Sequence, residues 1–197
     1  MKRDIILAGV GGQGILTIAT VIGYAAVERG LHLKQAEVHG MSQRGGDVQS
    51  HLRISDKEIH SDLIPEGRAD LIISIEPMEA LRYTSFLAPD GWIIANKKPF
   101  VNISNYPDFE ELWKQIEDLP RSILIDGEAL ARGVATARSM NMVILGASSP
   151  HLPFEVAELE NAITAIFSRK GEAIVTQNLA ALRAGRVFAE EHHPAIK

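Results

Sequence analysis

The stretch AGVGGQGILT, residues 8–17, joins a short apolar run to a longer segment with helical periodicity. Gly9, Gly11 and Gly14 match the spacing G-x-G-x-x-G, which dinucleotide-binding proteins carry between a first strand and a first helix. Glycine permits positive φ and close approach of a ligand to the backbone, and a helix that starts there directs free N–H groups toward the loop. We therefore predict an anion site at this turn, with the helix opening near Gly12.

The segments around the turn form a strand–helix–strand unit. Residues 4–9 are a continuous apolar run, typical of a strand that is buried on both faces. Residues 15–30 carry apolar side chains at helical spacing, and residues 31–38 alternate as a second strand does. Residues 47–55 alternate strictly, and the pattern predicts an antiparallel hairpin in which a turn at 56–57 leads into the next short segment.

Strands and helices continue to alternate along the rest of the chain. This order predicts a single domain over residues 1–197, a three-layer Rossmann-like α/β fold with a mostly parallel sheet, helices on both faces and one antiparallel hairpin. The predicted strands are 69–76, 92–96 and 122–126; the predicted helices are 77–87, 109–120, 127–138, 155–169 and 173–193. Residues 89–91 are predicted as a turn, 96–108 as a loop, and 141–149 as either strand or helix.

Composition excludes several classes of protein. The net charge of −5 provides no overall basic field for nucleic acid or an anionic membrane surface. The 197 residues include no cysteine, which excludes disulfides, zinc–thiolate sites and cysteine-ligated iron–sulfur clusters held by these residues. No apolar run reaches the roughly 18 residues that span a bilayer. We expect a soluble cytoplasmic protein.

The glycine spacing alone does not identify the anion. Dinucleotide-binding folds place an acidic residue at the end of the second strand, where it holds the ribose hydroxyls. Glu37 lies near that position, but the polar, glycine-rich residues after it do not continue as a third repeat. An NAD site, a site for another phosphate and a tight turn without a ligand all remain open at this point.

A second loop follows the second predicted strand. In HGMSQRGGDVQSHLR, residues 39–53, Ser42 and Arg44 precede the pair Gly45 and Gly46. Loops that follow neighbouring parallel strands share one edge of a sheet, so we expect Arg44 beside the first glycine loop. Its guanidinium suits a phosphate or a carboxylate. A solvated arginine in a glycine turn is the alternative.

These motifs together resemble a known family. The segments LAGVGGQGILT, EVHGMSQRGGDVQSHLRIS, NMVILGA and TQNLAALRAG resemble the gamma-type domain of the 2-oxoacid:ferredoxin oxidoreductases, in particular their indolepyruvate branch. The resemblance extends over essentially the whole chain. It implies a small subunit that is active only within a complex, which oxidatively decarboxylates 2-oxo acids, here aryl pyruvates, to acyl-CoA and passes electrons to ferredoxin.

The resemblance also implies where the cofactors bind. Thiamine diphosphate and iron–sulfur clusters are expected in a large alpha subunit, and coenzyme A at or near this chain. Gly11, Gly12, Gln13 and Gly14 would meet the pyrophosphate or pantetheine part of coenzyme A, and Ser42 and Arg44 would lie beside it. Asp47 departs from the pattern, because a carboxylate beside a phosphate is repulsive unless Arg44 offsets it.

Other candidate residues are few. Glu76 ends a predicted strand on the expected ligand edge, and Asn141 is expected to cap a helix. We predict no catalytic residue and no metal site in this chain. Two alternatives remain: a free-standing NAD(P)-binding enzyme, which a complete catalytic set would favour, and a nucleotide- or CoA-sensing module.

Overall fold

A computed structural model describes residues 1–39 and 45–192 of the chain. A six-stranded sheet has the order β2-β3-β1-β4-β5-β6. The strands are β1 (Lys2–Val10), β2 (His32–His39), β3 (Asp47–Ser55), β4 (Ala69–Ser74), β5 (Leu87–Asn96) and β6 (Ser122–Ile125). The helices are α1 (Ile15–Glu28), α2 (Pro77–Arg82), α3 (Phe109–Glu117), α4 (Gly127–Val134), α5 (Met140–Ser148), α6 (Val156–Phe167) and α7 (Glu172–Glu191).

The sheet is covered by helices on both faces, as predicted. Successive side chains of a strand point to opposite faces, so β1 contributes to two separate cores. Ile5 and Leu7 pack with α1 and the helices α4 to α7. Ile6 and Ala8 pack on the other face with α2 and α3. All four side chains are fully buried, which explains the continuous apolar run at the start of the sequence.

β3 is antiparallel, but the hairpin predicted for it is wrong. Residues 58–61 form no strand, and β3 pairs instead with β2 on one side and β1 on the other. The hairpin is therefore β2–β3, and residues 40–46 lie between these two strands in the sequence. The alternation of residues 47–55 indicated the strand correctly but could not indicate which neighbour it pairs with.

A buried ion pair fixes the register of β3 on β1. Asp4 lies directly opposite Arg53 in the pairing and has no exposed surface. The Arg53 guanidinium donates two hydrogen bonds to the Asp4 carboxylate, at 2.8 and 3.0 Å. A bidentate pair of this kind satisfies both charges, whereas a shift by one residue would leave the buried carboxylate without its partner.

The structure corrects one further sequence prediction and decides another that was left open. Residues 89–91 do not form a turn but belong to β5, next to an irregularity in its pairing with β4. The ambiguous segment 141–149 is helical, because α5 lies against α7 rather than in the sheet. Among the helices of the described ranges, none is long and apolar enough to cross a membrane.

α5 and α7 approach each other through two glycines. A Cβ atom added to Gly146 would lie 1.9 Å from the carbonyl oxygen of Leu182, and one added to Gly185 would lie 1.9 Å from that of Val143. Both obstacles are backbone atoms of the opposite helix, so the close contact is possible only because both residues lack a side chain. This contact fixes the distance between α5 and α7.

We predict that Gly146→Ala and Gly185→Ala each lower the free energy of unfolding by at least about 2 kcal/mol, because the two helix backbones must move apart. Gly133→Ala is the matched control, since Gly133 is also helical and a Cβ there has nothing within 4 Å. Its stability should be unchanged or slightly raised. Urea denaturation of the three variants measures the difference, and equal stability of Gly146→Ala and Gly133→Ala would contradict the packing argument.

Candidate functional site

The candidate site lies at one edge of the sheet. β1, β4, β5 and β6 are parallel and end at this edge, and the antiparallel β3 begins there. The first glycine loop, residues 11–14, follows β1, and Gly45 and Gly46, the described part of the second loop, precede β3. Open α/β sheets bind their ligands outside the carboxyl ends of the parallel strands. The two loops that the sequence singled out therefore meet at the edge where a ligand is expected.

The first glycine loop closes on its own strand. The side-chain oxygen of Gln13 accepts a hydrogen bond of 2.8 Å from the Val10 N–H, and the Gln13 N–H donates to the Val10 carbonyl at 3.2 Å. Gly9 leaves the space for this arrangement, since a Cβ there would lie 3.2 Å from the Gln13 side-chain oxygen. Gln13 thus shapes the loop through its side-chain oxygen.

Gly14 joins the loop to a second helix. It is the N-cap of α1 at φ 88°, a left-handed conformation that glycine adopts without strain. Its carbonyl oxygen accepts a hydrogen bond of 3.3 Å from the side-chain amide of Asn141. A Cβ at Gly14 would lie 2.7 Å from that amide nitrogen. Asn141 is not the helix cap that the sequence suggested: it lies in the first turn of α5 and holds the glycine loop.

The helix start carries unneutralised positive potential. α1 begins at Ile15, where the helical spacing of residues 15–30 predicted it to begin, with no side-chain cap and no acidic residue in its first turn. The N–H groups of Gly12 and Gly14 have no acceptor within the described ranges. Gly12 is exposed, at φ 98°, and has open space around it. Free N–H groups at a helix N-terminus are suited to bind an anion.

The second loop touches the first through the backbone. The Gly11 N–H donates a hydrogen bond of 2.9 Å to the carbonyl oxygen of Gly46. The expected closeness of the two loops is confirmed, although the reason differs: β3, rather than β2, is the neighbour of β1. Ser42 and Arg44 lie outside the described residues, so their predicted positions stay predictions. The Gly11 N–H is already bonded, which leaves Gly12 and Gly14 to meet a ligand.

The buried carboxylate of Glu76 holds together the neighbouring part of this sheet edge. Glu76 has no exposed surface and caps α2, accepting a hydrogen bond of 2.9 Å from the Glu79 N–H. Its other oxygen accepts from the Phe100 N–H at 3.2 Å and from the Tyr106 hydroxyl. Burial and the Glu76 carboxylate raise the pKa of Tyr106, which stays a neutral donor. Glu76 therefore anchors the β5–α3 loop, residues 97–108, and is not free to bind a ligand.

The β5–α3 loop also contacts the second glycine loop, because the Asn102 side-chain amide donates a hydrogen bond to the Gly45 carbonyl. Sequence reasoning missed both Asn102 and Tyr106. An aperiodic polar loop carries no local signal for such long-range contacts. Glu76 was identified in the sequence because it lies between a buried strand and Pro77, which starts a helix.

Asp47, the residue that departs from the pattern of the resemblance, has a hydrogen-bond partner within the protein. The Tyr83 hydroxyl donates a hydrogen bond of 3.4 Å to its carboxylate. Burial and the nearby Asp47 charge raise the pKa of Tyr83 to about 12, so the hydroxyl remains protonated at neutral pH. Burial raises the pKa of Glu79, which pairs with Arg82 at 2.8 Å on the same helix. The acidic side chains here are bonded within the protein.

The geometry does not favour an NAD site. Glu37, the residue proposed to hold the ribose, lies on β2. β3 separates β2 from β1, so Glu37 is about 10 Å, or two strand spacings, from the strand that carries the glycine loop. Dinucleotide-binding folds require the second strand directly beside the first. Across the part of the chain that the structure describes, no group of three or more His, Asp or Glu side chains could hold a metal ion.

A named protein family and named oxidoreductase subunits match almost the whole chain. The family profile described as Pyruvate ferredoxin/flavodoxin oxidoreductase matches residues 4–188. The chain is 37% identical over 194 residues to the Indolepyruvate oxidoreductase subunit IorB of Archaeoglobus fulgidus, covering 94% of each chain. It is 33% identical over 198 residues to the same subunit of Methanothermobacter thermautotrophicus, covering 97% of this chain and 100% of the relative.

Solved structures have the same fold. A 2-oxoglutarate:ferredoxin oxidoreductase from Magnetococcus marinus, solved with 2-oxoglutarate, coenzyme A and succinyl-CoA bound, gives a TM-score of 0.77 at 21% identity, covering 98% of this chain and 32% of that chain. The pyruvate oxidoreductase subunit PORC of Thermotoga maritima gives 0.70 at 20% identity, covering 94% and 96%. The extended match to the family profile and the near-full-length IorB relatives agree: this chain belongs to the pyruvate ferredoxin/flavodoxin oxidoreductase family.

Proposed function

We propose that this chain is the small, cluster-free subunit of a 2-oxoacid:ferredoxin oxidoreductase that acts on indolepyruvate and other aryl pyruvates. The observation that carries the proposal is the identity of 33–37% with subunits named IorB over nearly their full length. The absence of cysteine from all 197 residues supports the assignment of the iron–sulfur clusters to another subunit, because these residues do not fit a cluster. The clusters and thiamine diphosphate belong to a large alpha subunit, and ferredoxin accepts the electrons.

The role of this chain is to bind and orient coenzyme A. Thiamine diphosphate, when bound in the partner, supplies the decarboxylation chemistry. The free N–H groups of Gly12 and Gly14 and the start of α1 meet the pyrophosphate, while Gly11 and Gln13 hold the loop in shape. Ser42 and Arg44 extend this surface from the second loop. Coenzyme A bound to the Magnetococcus marinus enzyme supports this choice of ligand.

An exposed apolar surface supports a large partner. The β5–α3 loop and the start of α3 present four large apolar side chains, each at least 40% exposed: Phe100, Val101, Ile103 and Phe109. The loop contacts Gly45 through Asn102 and therefore lies beside the candidate site. Obligate interfaces are large and apolar, so this loop is suited to contact the alpha subunit next to coenzyme A.

The free-standing NAD(P)-binding enzyme is the weaker alternative, because Glu37 lies two strands from the glycine loop. A sensing module that binds nucleotides without joining an oxidoreductase would have the same edge site. Isolation of the native assembly distinguishes both alternatives from the proposal.

We expect the tagged chain, purified without oxygen from its native host, to bring down one large cysteine-rich subunit in a brown complex that contains thiamine diphosphate. The complex should reduce ferredoxin with indolepyruvate and coenzyme A faster than with pyruvate. Absorbance spectra, cofactor analysis and rates with each 2-oxo acid are the measurements. A colourless chain without such a subunit would refute the proposal.

We predict that Gly14→Ala raises the KM for coenzyme A in the complex roughly tenfold to hundredfold, because its Cβ collides with Asn141 and displaces the loop amides. The KM for the 2-oxo acid should stay within a factor of about two, since the loop meets only coenzyme A. Steady-state kinetics of the purified complex provide both values.

Gly30→Ala is the matched control for this variant. Gly30 also has positive φ, 69°, but lies beyond the other end of α1 with open space around it. The substitution introduces comparable backbone strain and should leave the KM for coenzyme A unchanged. Equal effects of the two substitutions would show that strain, and not the loop amides, determines the affinity.

A further inference from the structure

The outer face of α1 carries no charge. Residues 15–27 contain no charged side chain, so α1 lacks the charged face that a surface helix normally presents to water. Instead, Leu16, Tyr24 and Val27 are 47%, 38% and 61% exposed, and the exposed Thr20 lies between them. These four residues are three or four positions apart, so they form one stripe along the helix, here called the α1 stripe. An exposed apolar surface of this kind is typical of a contact with another protein.

The α1 stripe lies on the same side of the molecule as a free edge of the sheet. β2 is an outermost strand, and a Cβ atom added to Gly23 would lie 3.0 Å from a methyl group of Leu33 in β2. Leu16 and Val27 lie seven residues before and four residues after Gly23, so they project from nearly the same flank of α1. The stripe therefore faces outward above the edge that β2 forms.

The edge of β2 has few of the features that protect edge strands. Among the described residues, β2 pairs only with β3, and the N–H and C=O groups on its other side have no backbone partner. Natural edge strands are commonly short, bulged, or interrupted by proline or lysine. β2 has eight residues without a bulge or a proline, and its one lysine, Lys34, pairs with Asp62 at 3.1 Å. Such an edge is suited to pair with a strand of another chain.

One two-fold axis would cover both surfaces. An axis perpendicular to the sheet at this edge pairs β2 with the β2 strand of a second copy in antiparallel direction. The same axis places the two α1 helices on one face of the joined sheet, with their stripes toward each other. A two-fold contact brings identical surfaces together, so charges in the stripe would repel, and the stripe has none. In β2, antiparallel pairing sets the half with Lys34 against the half with Glu37, whereas parallel pairing would set like charges side by side.

We propose that two copies of this chain associate through their β2 edges and α1 stripes, so that one sheet continues through both copies. A second copy fits this surface better than the alpha subunit does, because the apolar loop proposed for that subunit follows β5, which three strands separate from β2. The two-fold contact leaves that loop accessible in both copies. The inference goes beyond the proposed function, since this association requires no cofactor, 2-oxo acid or further subunit.

Sedimentation velocity of the purified full chain, measured over a range of concentrations, should show a dimer. Val27→Lys should raise the dissociation constant of the dimer at least about tenfold, because it buries a charge in the contact. Val187→Lys is the matched control: it is the same substitution at a valine that is 50% exposed on α7, outside the proposed contact. It should leave the dimer unchanged. Both valines are exposed, so circular dichroism should show both variants folded. A chain that is monomeric at every concentration, or equal effects of the two substitutions, would overturn the proposal.

Cysteine substitutions test the strand pairing separately. The 197 residues contain no cysteine, so a single introduced cysteine forms a disulfide only between two copies. The two-fold pairing places a residue near the middle of β2 opposite itself, so mild oxidation of Gln35→Cys or Ala36→Cys should give a covalent dimer. Val187→Cys should give none. A dimer that forms no disulfide in either β2 variant would contradict the pairing of the β2 edges.

The purified complex distinguishes this proposal from the proposed function. If Val27→Lys releases the alpha subunit while the free chain is monomeric, the α1 stripe contacts that subunit and the proposed dimer is wrong. If the chain forms the dimer but no alpha subunit accompanies it from the native host, the dimer stands and the proposed function fails.

Discussion

The antiparallel pairing of β3 with β1 is the constraint on which the site depends. It places the start of β3 beside the end of β1, so that the Gly11 N–H reaches the Gly46 carbonyl. The buried pair Asp4–Arg53 fixes this register from the far end of the strands. A slip by one residue would turn every side chain of β3 to the opposite face and separate the loops. The same pairing moves β2 outward and with it Glu37, which removes the geometry that an NAD site needs.

Polar contacts from three other parts of the chain complete the edge. Asn141 holds the carbonyl of Gly14 from α5, and the close contact of Gly146 with α7 keeps α5 in place. Glu76 and Tyr106 anchor the β5–α3 loop, which reaches the second glycine loop. In these contacts the acidic groups and amide side chains already have hydrogen-bond partners inside the protein. Among the described residues of the first glycine loop, the Gly12 and Gly14 N–H groups remain open, and such groups are suited to bind an anion.

Sequence patterns predicted the layers of the fold, because the buried run in β1 and the helical spacing in α1 follow from local chemistry. They did not predict which strand lies beside β1, since alternation in residues 47–55 reports exposure and not the identity of the neighbour. The glycine loop was found from its spacing, and its partner loop from composition. The contact of Asn141 with Gly14 spans 127 positions of sequence. The local sequence pattern could not indicate this contact, so it suggested a capping role instead.

The proposed assignment of coenzyme A to this chain requires that the paired loops at the end of β1 bind it through their backbone amides. Hydrogen–deuterium exchange of the purified complex, followed by mass spectrometry with and without coenzyme A, tests it directly. Peptides that cover residues 9–17 and 45–49 should exchange more slowly when coenzyme A is present, while those that cover α6 should not change. Unchanged exchange in the first glycine loop at saturating coenzyme A would contradict the claim.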